Sequence, residues 1–337
     1  MRMIVGAGCL LVAMGGVGVR LVSLHLGPHD DARERVEDRQ RIERTIPAPR
    51  GQITDCRGQG NLLAVNLPLK DVCAVPATIV RSNKVAEVAA VLASVLGEPI
   101  DEMAAKLNNP KKAFVSIRRF VAPDIAEGLK ARKLTGVFIQ DSTLRHYPNH
   151  SFMCHVLGFV NYEGIGSAGI ELTLEESMRG KPGYLVTRVN GLREEIYSQR
   201  EILIPPVAGA DVRLTFDQNI QYIVEKALDD VMEDHNAQGA CAIVQRIRTG
   251  EILALANRQA FDLNEFASAG KSAMTNRAIG YVYEPGSTFK AVAFCAAFNE
   301  GLVTPEQVID CENGSWMYKG RVLRDYPLLY SAKRVFW

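Results

Sequence analysis

The sequence lacks the cysteine patterns that mark a metal site or a disulfide framework. Its seven cysteines are widely spaced, and no two of them form a C-x-x-C pair. An odd number of scattered thiols fits neither a structural zinc site nor a set of disulfide bridges. Cys241 and Cys295 lie inside apolar runs, so we expect both to be small buried core residues.

An excess of charge of either sign is also missing. Lys and Arg number 39 against 38 for Asp and Glu, which gives a net charge of +1. Nucleic-acid-binding domains usually carry a strongly basic surface, so this balance argues against a nucleic-acid partner. The hydrophobic content of 47% is ordinary for folded cores, and the length of 337 residues predicts two domains.

The chain offers no obvious cluster of metal ligands or of acid–base groups. His146, His150 and His155 are close in sequence, but a turn at Pro148 breaks any helical face that they could share. We interpret them as structural or surface histidines. The sequence therefore implies neither a bound metal nor an organic cofactor.

The N-terminus is the longest uncharged apolar stretch. Residues 3–19 are rich in Leu, Val, Ala and Gly, and Arg2 marks the inner flank. A cleavable signal peptide has similar proportions. We favour a single-pass anchor in the plasma (inner) membrane over residues 1–27, with the bulk of the chain outside the cytoplasm. A charged spacer follows at 28–44, where Glu37 and Arg41 have helical spacing.

The next stretch reads as a mixture of helices and strands. A helix is predicted from Ser82 or Asn83 to Leu96, ended by Gly97. Shorter helices are predicted over 101–107 and 124–132, with a strand over 113–117 between them. The pattern favours an α+β domain.

A linker is predicted at residues 204–209, which are rich in Pro and Gly. Asp217 is then expected to cap a helix, and strands are expected over 239–244 and 251–256, joined as an antiparallel hairpin. The helix carries an apolar stripe that we expect to face a core, made of Ile220, Ile223, Val224, Ala227, Leu228 and Val231. A helix and a hairpin in this order fit the opening half of an α/β sandwich.

The strongest chemical signal is Ser-Thr-Phe-Lys at residues 287–290, which follows a Glu-Pro-Gly turn. On a helix, Ser287 and Lys290 lie on one face, one turn apart. A helix start favours developing negative charge, and a desolvated lysine loses its proton more readily. Such a pair makes a serine nucleophile without histidine.

The bare Ser-x-x-Lys spacing is common, and the chain contains a second copy at residues 268–271. That copy lies in a Ser/Ala/Gly stretch, which we interpret as a loop. Residues 291–298, behind Ser287, are apolar on every face, so we expect a buried helix there. The alternative interpretation of Ser287 is a plain helix cap on a core helix, with Lys290 reaching to solvent.

Six further segments appear in an order that resembles class B penicillin-binding proteins, which are monofunctional peptidoglycan transpeptidases. The similar segments are residues 46–55, 145–148 with 155–158, 169–171 with 179–183, 214–217, 249–254 and 276–278. The resemblance extends from about residue 44 to about residue 325 and includes the Ser-x-x-Lys motif, which is the first of three in that family. The amino-acid sequences at 158–160 and 166–171 resemble the division type of this family more than the elongation type.

The resemblance implies the fold. Residues 45–205 would form a non-catalytic α+β pedestal of the dimerisation type, which lifts the catalytic domain off the membrane and contacts partners. Residues 206–337 would form the N-terminal part of an α/β transpeptidase domain, similar to the serine β-lactamases. The predicted N-terminal transmembrane helix would be the family's anchor.

The resemblance also implies the chemistry. Ser287 would attack the penultimate D-alanine carbonyl of a peptidoglycan stem peptide that ends in D-Ala-D-Ala, and Lys290 would accept its proton. The resulting acyl-enzyme would pass to an amine on a neighbouring strand. β-Lactams would acylate the same serine, and membrane proteins of division or elongation would be partners.

The second and third motifs of the family, of the S-x-N and K-T-G types, are not found after Lys290, and residues 326–337 no longer resemble the family. We therefore expect a truncated or frameshifted, catalytically incomplete chain. Two alternatives stay open. One is a non-catalytic scaffold that acts through its pedestal, and the other is a β-lactam sensor or serine β-lactamase.

Overall fold

The computed structural model describes residues 2–26, 41–58, 60–189, 196–310, 312–324 and 333–335. They belong to two compact units, Met1–Gly280 and Tyr281–Trp337. The predicted spacer up to residue 40, with Glu37, lies outside the described residues, and so does most of 326–337. Arg41 begins a strand.

The helices described are α1 Arg2–Leu26, α2 Pro76–Arg81, α3 Val85–Leu96, α4 Ile100–Leu107, α5 Pro123–Ala131, α6 Cys154–Leu157, α7 Gly169–Thr173, α8 Glu175–Met178, α9 Gln218–His235, α10 Lys271–Met274, α11 Arg277–Gly280 and α12 Lys290–Asn299. Short 3₁₀ turns are Tyr197–Gln199, Leu263–Ser268, Gly286–Phe289 and Glu312–Gly314.

The strands described are β1 Arg41–Ile46, β2 Ile53–Thr54, β3 Leu62–Ala74, β4 Val115–Val121, β5 Val137–His146, β6 Gly183–Arg188, β7 Ile202–Ile204, β8 Val212–Arg213, β9 Ala240–Gln245, β10 Ile252–Arg258, β11 Val308–Asp310, β12 Ser315–Tyr318, β13 Arg321–Arg324 and β14 Lys333–Val335.

The predicted N-terminal helix is present as α1. Among the residues that the structure describes, no helix has both the length and the apolar character that a membrane crossing requires. The membrane anchor stays a prediction from the sequence.

A first core lies between a sheet and four helices. The long strand β3 pairs antiparallel with β2, β4 and β5, and β2 pairs in parallel with β8. Helices α2 to α5 pack on one face of β3, β4 and β5, where Val72, Leu92, Met103 and Leu129 are buried. The mixed α+β architecture predicted for this part of the chain is confirmed.

The three helices predicted in this core are present as α3, α4 and α5. Gly97 ends α3 with φ of 67°, a left-handed conformation that glycine adopts without steric cost. The predicted cap is wrong, because Asn83 itself has a left-handed φ of 54° in the preceding turn and the cap position falls on Lys84.

A second core joins distant parts of the chain. Ile53, Tyr147 and Met178 are buried in one cluster with Phe216 and Leu263. The predicted domain boundary after residue 205 thus falls between segments that share this core, whereas the two compact units divide at Gly280.

Residues 204–209, predicted as a linker, form backbone hydrogen bonds with distant segments of the chain. Val207 forms an isolated bridge with Lys181, and Gly209 N donates to Pro49 O at 2.9 Å. A Cβ at Gly209 would lie 1.7 Å from Met178 O. The backbones of these two residues are therefore so close that only glycine fits at position 209.

Helix α9 and the β9–β10 hairpin form as predicted. Asp217 Oδ1 accepts from Asn219 N at 2.8 Å and caps α9, while β9 and β10 pair antiparallel. The buried stripe is only partly correct, because α9 turns Gln221 and Leu228 inward and leaves Ile223 exposed by 66%.

Two cysteine predictions are wrong. Among the cysteines whose side chains the structure describes, Cys241 and Cys295 are exposed, whereas Cys73 and Cys154 are buried. Strand β9 has a neighbouring strand on one side only among the described residues, and its residues alternate between half-buried and exposed, so Cys241 falls on the exposed face.

Candidate functional site

The Ser-x-x-Lys segment begins at a sharp turn. Gly286 has φ of +55°, a left-handed conformation that explains glycine at this point. The 3₁₀ turn Gly286–Phe289 runs directly into α12, and the Lys290 N–H donates to Ser287 O. Thr288 Oγ1 donates to Pro285 O and closes the turn. Ser287 and Lys290 therefore lie one helical turn apart, as the spacing predicts.

The predicted burial of this helix is wrong. Residues 281–290 are all exposed, and Phe289 and Val292 expose 58% and 56% of their surface. An apolar helix becomes buried only when another apolar surface covers it, and no described residue covers these side chains. The Lys290 ammonium thus meets water here rather than a dry pocket.

The second Ser-x-x-Lys copy has a different local structure. Ser268 ends a 3₁₀ turn and its Oγ donates to Glu265 O at 2.8 Å, whereas Lys271 begins α10 after Gly270. The loop predicted here is instead two short helical segments. Because the serine and the lysine belong to different segments, they do not share a helical face.

His150 and His155, predicted as structural or surface histidines, have separate hydrogen-bond partners. His150 Nδ1 lies 2.8 Å from Asp262 Oδ2, and His155 Nε2 donates to Ala273 O at 2.6 Å. Burial lowers the pKa of His155, which keeps the imidazole neutral as this donor. Among the described residues, no group of three or more His, Cys, Asp or Glu could hold a metal ion.

A buried ion network surrounds Glu171. This carboxylate is fully buried, and its Oε1 accepts from Arg145 Nε at 2.7 Å and from the Tyr147 hydroxyl at 3.3 Å. Its Oε2 accepts from Arg50 Nε at 2.7 Å. Each charge is thereby paired and hydrogen-bonded, the condition under which charges can be buried.

Glu175 extends this network. Arg50 Nη1 lies 2.5 Å from Glu175 Oε2, which also accepts from Gly166 N at 2.9 Å. Burial opposes the charge on Arg50, but Glu171 and Glu175 outweigh it and raise the pKa of the guanidinium. Burial and the Glu171 charge raise the pKa of the Tyr147 hydroxyl, so it stays protonated.

This network is not predictable from any one stretch of the sequence, although the segments that build it resemble the family. Arg50, Arg145 and Glu171 each lie in a separate segment that resembles the family. Their side chains meet at one buried point. These three segments therefore stabilise the pedestal fold.

The loop after Arg145 contacts the segment that follows β10. Asn264 Oδ1 accepts from Tyr147 N at 3.0 Å, and its Nδ2 donates to Tyr147 O at 2.9 Å. Met153 N donates to Glu225 Oε1 at 3.0 Å. These hydrogen bonds and the second core join the segment around Tyr147 and Met153 to helix α9 and to the residues after β10.

Comparison with protein families gives two matches along the chain. Residues 45–214 match the penicillin-binding protein dimerisation domain, and residues 240–328 match the penicillin-binding protein transpeptidase domain. The Ser-x-x-Lys segment at 287–290 lies inside the second match.

Curated proteins with similar sequences carry consistent names. Peptidoglycan D,D-transpeptidase FtsI of Escherichia coli (strain K12) is 30% identical over 309 residues, which cover 90% of this chain and 51% of that protein. Probable peptidoglycan D,D-transpeptidase PenA of Neisseria meningitidis is 32% identical over 295 residues, covering 87% and 50%. The chain thus spans about half the length of these relatives.

Solved structures share the fold. A peptidoglycan synthetase from Bifidobacterium adolescentis aligns with a TM-score of 0.58 at 26% identity, covering 85% of this chain and 56% of that one. Penicillin binding protein 2X from Streptococcus thermophilus aligns with a TM-score of 0.62 at 24% identity, covering 85% and 45%. With a dimerisation-domain match over half of its length and a transpeptidase-domain match that contains Ser287, the chain belongs to the penicillin-binding protein family.

Proposed function

We propose that this chain is the pedestal and nucleophile-bearing part of a class B peptidoglycan D,D-transpeptidase. The observation that carries the proposal is the position of Ser287 and Lys290, one helical turn apart, inside the transpeptidase-domain match. A glycine turn before a serine and a lysine one turn later supply a nucleophile and a base on one helix face.

In the proposed reaction, the Ser287 Oγ attacks the carbonyl of the penultimate D-alanine of a stem peptide. Lys290 accepts the hydroxyl proton, and terminal D-alanine leaves. An amine of a neighbouring stem peptide then attacks the ester and regenerates the serine. A β-lactam would acylate Ser287 in the same way, and no metal or organic cofactor takes part.

The helix start supplies one donor to the developing oxyanion, through the Ser287 backbone N–H. In the family, a second donor comes from the strand with the K-T-G motif. An oxyanion donor of this kind is worth about 2.7–4 kcal/mol in the barrier. Ser287 and Lys290 are exposed in the structure, so the lysine is not desolvated and acylation is expected to be slow.

We propose a member of the division type, because residues 158–160 and 166–171 resemble that type more than the elongation type. The FtsI and PenA relatives support a role in cell-wall cross-linking, and a Helicobacter pylori complex of PBP2 and MreC shares the fold, with a TM-score of 0.64 at 21% identity over 88% of this chain and 59% of that one. We propose division or elongation membrane proteins as partners of the pedestal. The bulk of the chain would lie outside the cytoplasm, where its substrate lies.

Labelling with a fluorescent penicillin tests the proposal. The purified protein is incubated with the reagent and covalent label is measured by gel and by intact mass. Label that disappears in Ser287→Ala supports the nucleophile. Ser268→Ala is the matched control, because Ser268 belongs to the other Ser-x-x-Lys copy and should leave labelling unchanged.

The outcomes separate the candidate functions. Absence of label from a folded, unsubstituted sample would reject acylation by this chain and favour the non-catalytic scaffold. Rapid release of opened penicillin after labelling would favour a β-lactamase. The dimerisation-domain match over residues 45–214 argues against that last outcome, since a free β-lactamase needs no pedestal.

A further inference from the structure

Strand β10 has an outer edge that faces away from β9. Among the residues that the structure describes, β9 is the one strand that pairs with β10. In an antiparallel pair, every second residue turns its N–H and C=O away from the partner strand. Bonds from Leu253 and Leu255 to residues outside the hairpin identify these two, with Asn257, as the outward residues of β10. A free row of such groups is the kind of edge to which another strand adds.

Gln221 of α9 bonds to both outward groups of Leu255. Its Oε1 accepts from Leu255 N at 2.8 Å, and its Nε2 donates to Leu255 O at 3.0 Å. The side chain of Gln221 is fully buried. A carboxamide contains the same donor and acceptor as a peptide group, so Gln221 makes the two bonds that one residue of a neighbouring strand would make.

The outward carbonyls on either side of Leu255 have partners too. Asp217 N, at the start of α9, donates to Leu253 O at 3.0 Å. Arg258 Nη1 donates to Asn257 O at 3.3 Å. The carbonyls of all three outward residues are therefore occupied without a neighbouring strand.

Glu225, one turn further along α9, orients the carboxamide of Gln221. Glu225 Oε1 accepts from Gln221 Nε2 at 2.8 Å. If the amide oxygen and nitrogen exchanged places, the oxygen would face both the Glu225 carboxylate and Leu255 O, and both contacts would be repulsive. The carboxamide thus uses its oxygen and both of its N–H groups in a single orientation.

The opposite edge of the hairpin is different. Ile243 of β9 lies opposite Leu255 in the register, so its backbone groups also point outward. No described residue forms a hydrogen bond to these groups, and the Ile243 side chain is 49% exposed. The hairpin therefore has a closed edge at β10 and an open edge at β9.

We propose that Gln221 acts as a surrogate strand. Its carboxamide closes the edge of β10, so that a second copy of the chain cannot pair there and the sheet can take a further strand only at β9. Burial of a polar side chain is unfavourable unless its hydrogen bonds are made, and those of Gln221 are made to the strand edge and to Glu225. The proposal does not depend on the chemistry of Ser287.

The experiment compares Gln221→Ala and Gln221→Met with the unsubstituted protein. Both variants remove the carboxamide, but methionine retains most of its volume, so the two separate hydrogen bonding from the filling of space. Leu228→Ala is the matched control, because Leu228 is also buried on α9 and its side chain is apolar. Amide hydrogen exchange resolved to single residues is measured at Leu255, Ile243 and Ala256, and sedimentation velocity measures self-association.

In the unsubstituted protein the Leu255 amide should exchange at least about tenfold more slowly than the Ile243 amide, although neither bonds to the other strand of the hairpin. Both Gln221 variants should remove this difference, while Ala256, which pairs within the hairpin, stays protected. Gln221→Ala should also dimerise at least about fivefold more tightly than the unsubstituted protein, because the β10 edge can then pair with a second copy. Leu228→Ala should keep both the exchange difference and the dimerisation constant.

Equal exchange of Leu255 and Ile243 in the unsubstituted protein would overturn the inference. A Gln221→Met variant that keeps Leu255 protected would also overturn it, because the side chain would then act by its volume alone. The same holds if Gln221→Ala associates no more tightly than the unsubstituted protein. If Gln221→Ala does not fold, the exchange difference in Gln221→Met decides the question.

Discussion

Arg50 Nε lies 2.7 Å from Glu171 Oε2, although the two residues are 121 positions apart in the chain. This ion pair joins the segment that follows β1 to helix α7. Arg145 Nε donates to the other oxygen of this carboxylate, Glu171 Oε1, at 2.7 Å. This buried anion pairs with two cations. Its loss would leave Arg145 without a charged partner, while Arg50 would keep its pair with Glu175.

Glu171→Gln should therefore destabilise the protein by about 3–5 kcal/mol, because it leaves buried charge uncompensated. The measurement is urea unfolding followed by circular dichroism. Glu176→Gln, at an exposed position of the neighbouring helix α8, is the control and should change stability by less than about 0.5 kcal/mol. Similar unfolding midpoints for the two variants would contradict the role assigned to Glu171.

His155 predicts a pH dependence with a definite sign. Burial lowers its folded-state pKa, so the unfolded chain binds the proton more readily. The stability contribution is complete above the unfolded pKa of about 6.5 and is lost as pH falls below it toward the folded pKa. His155→Gln should flatten the pH dependence of stability between about pH 7 and pH 5.

Melting temperatures measured across that range test the histidine, with His235→Gln at the exposed C-terminal end of α9 as the control. If both substitutions leave the same slope as the unsubstituted protein, the bond from His155 to Ala273 O does not create the dependence.

Two glycines should respond to alanine in opposite directions. At Gly209 a Cβ would lie 1.7 Å from Met178 O, so Gly209→Ala should destabilise by about 1–3 kcal/mol through overpacking. At Gly128, inside α5, nothing lies within 4 Å, and Gly128→Ala should stabilise by about 0.5–1 kcal/mol. Thermal melting distinguishes them. A stable Gly209→Ala variant would show that residues 204–209 do not pack as described.

Thiol reactivity should follow exposure. Cys241 and Cys295 are exposed, whereas burial raises the pKa of Cys73 and of Cys154 to about 11. A maleimide reacts with the thiolate, so the exposed pair should be modified first, by a factor of roughly one hundred or more. Peptide mapping after timed labelling measures the order. Early modification of Cys154 would show that the second core opens readily.

Local signals in the sequence predicted local structure well. Gly97 ends α3, Asp217 caps α9, and the hairpin of β9 and β10 forms where its two runs predict it. Each of these features depends on residues close in sequence, so the pattern contains the physical cause.

Predictions that depended on a distant partner were less successful. The apolar run after Phe289 and the stripe with Ile223 predict burial, but burial requires an opposing surface that a single segment does not specify. For the same reason the ion pair between Arg50 and Glu171 could not be predicted from the sequence. The helical spacing of Ser287 and Lys290 was predicted correctly. The buried environment expected for them is not found, because both residues are exposed.

The second core has a practical effect on how the protein can be divided. Phe216, Phe261 and Leu263 fill space beside Ile53 and Tyr147, so a recombinant pedestal ended near residue 205 would lose one wall of its interior. Such a fragment should be poorly soluble and bind the dye ANS. An expression boundary placed after Gly280 would retain these residues and keep the second core complete, and is the better choice for a folded fragment that contains the pedestal.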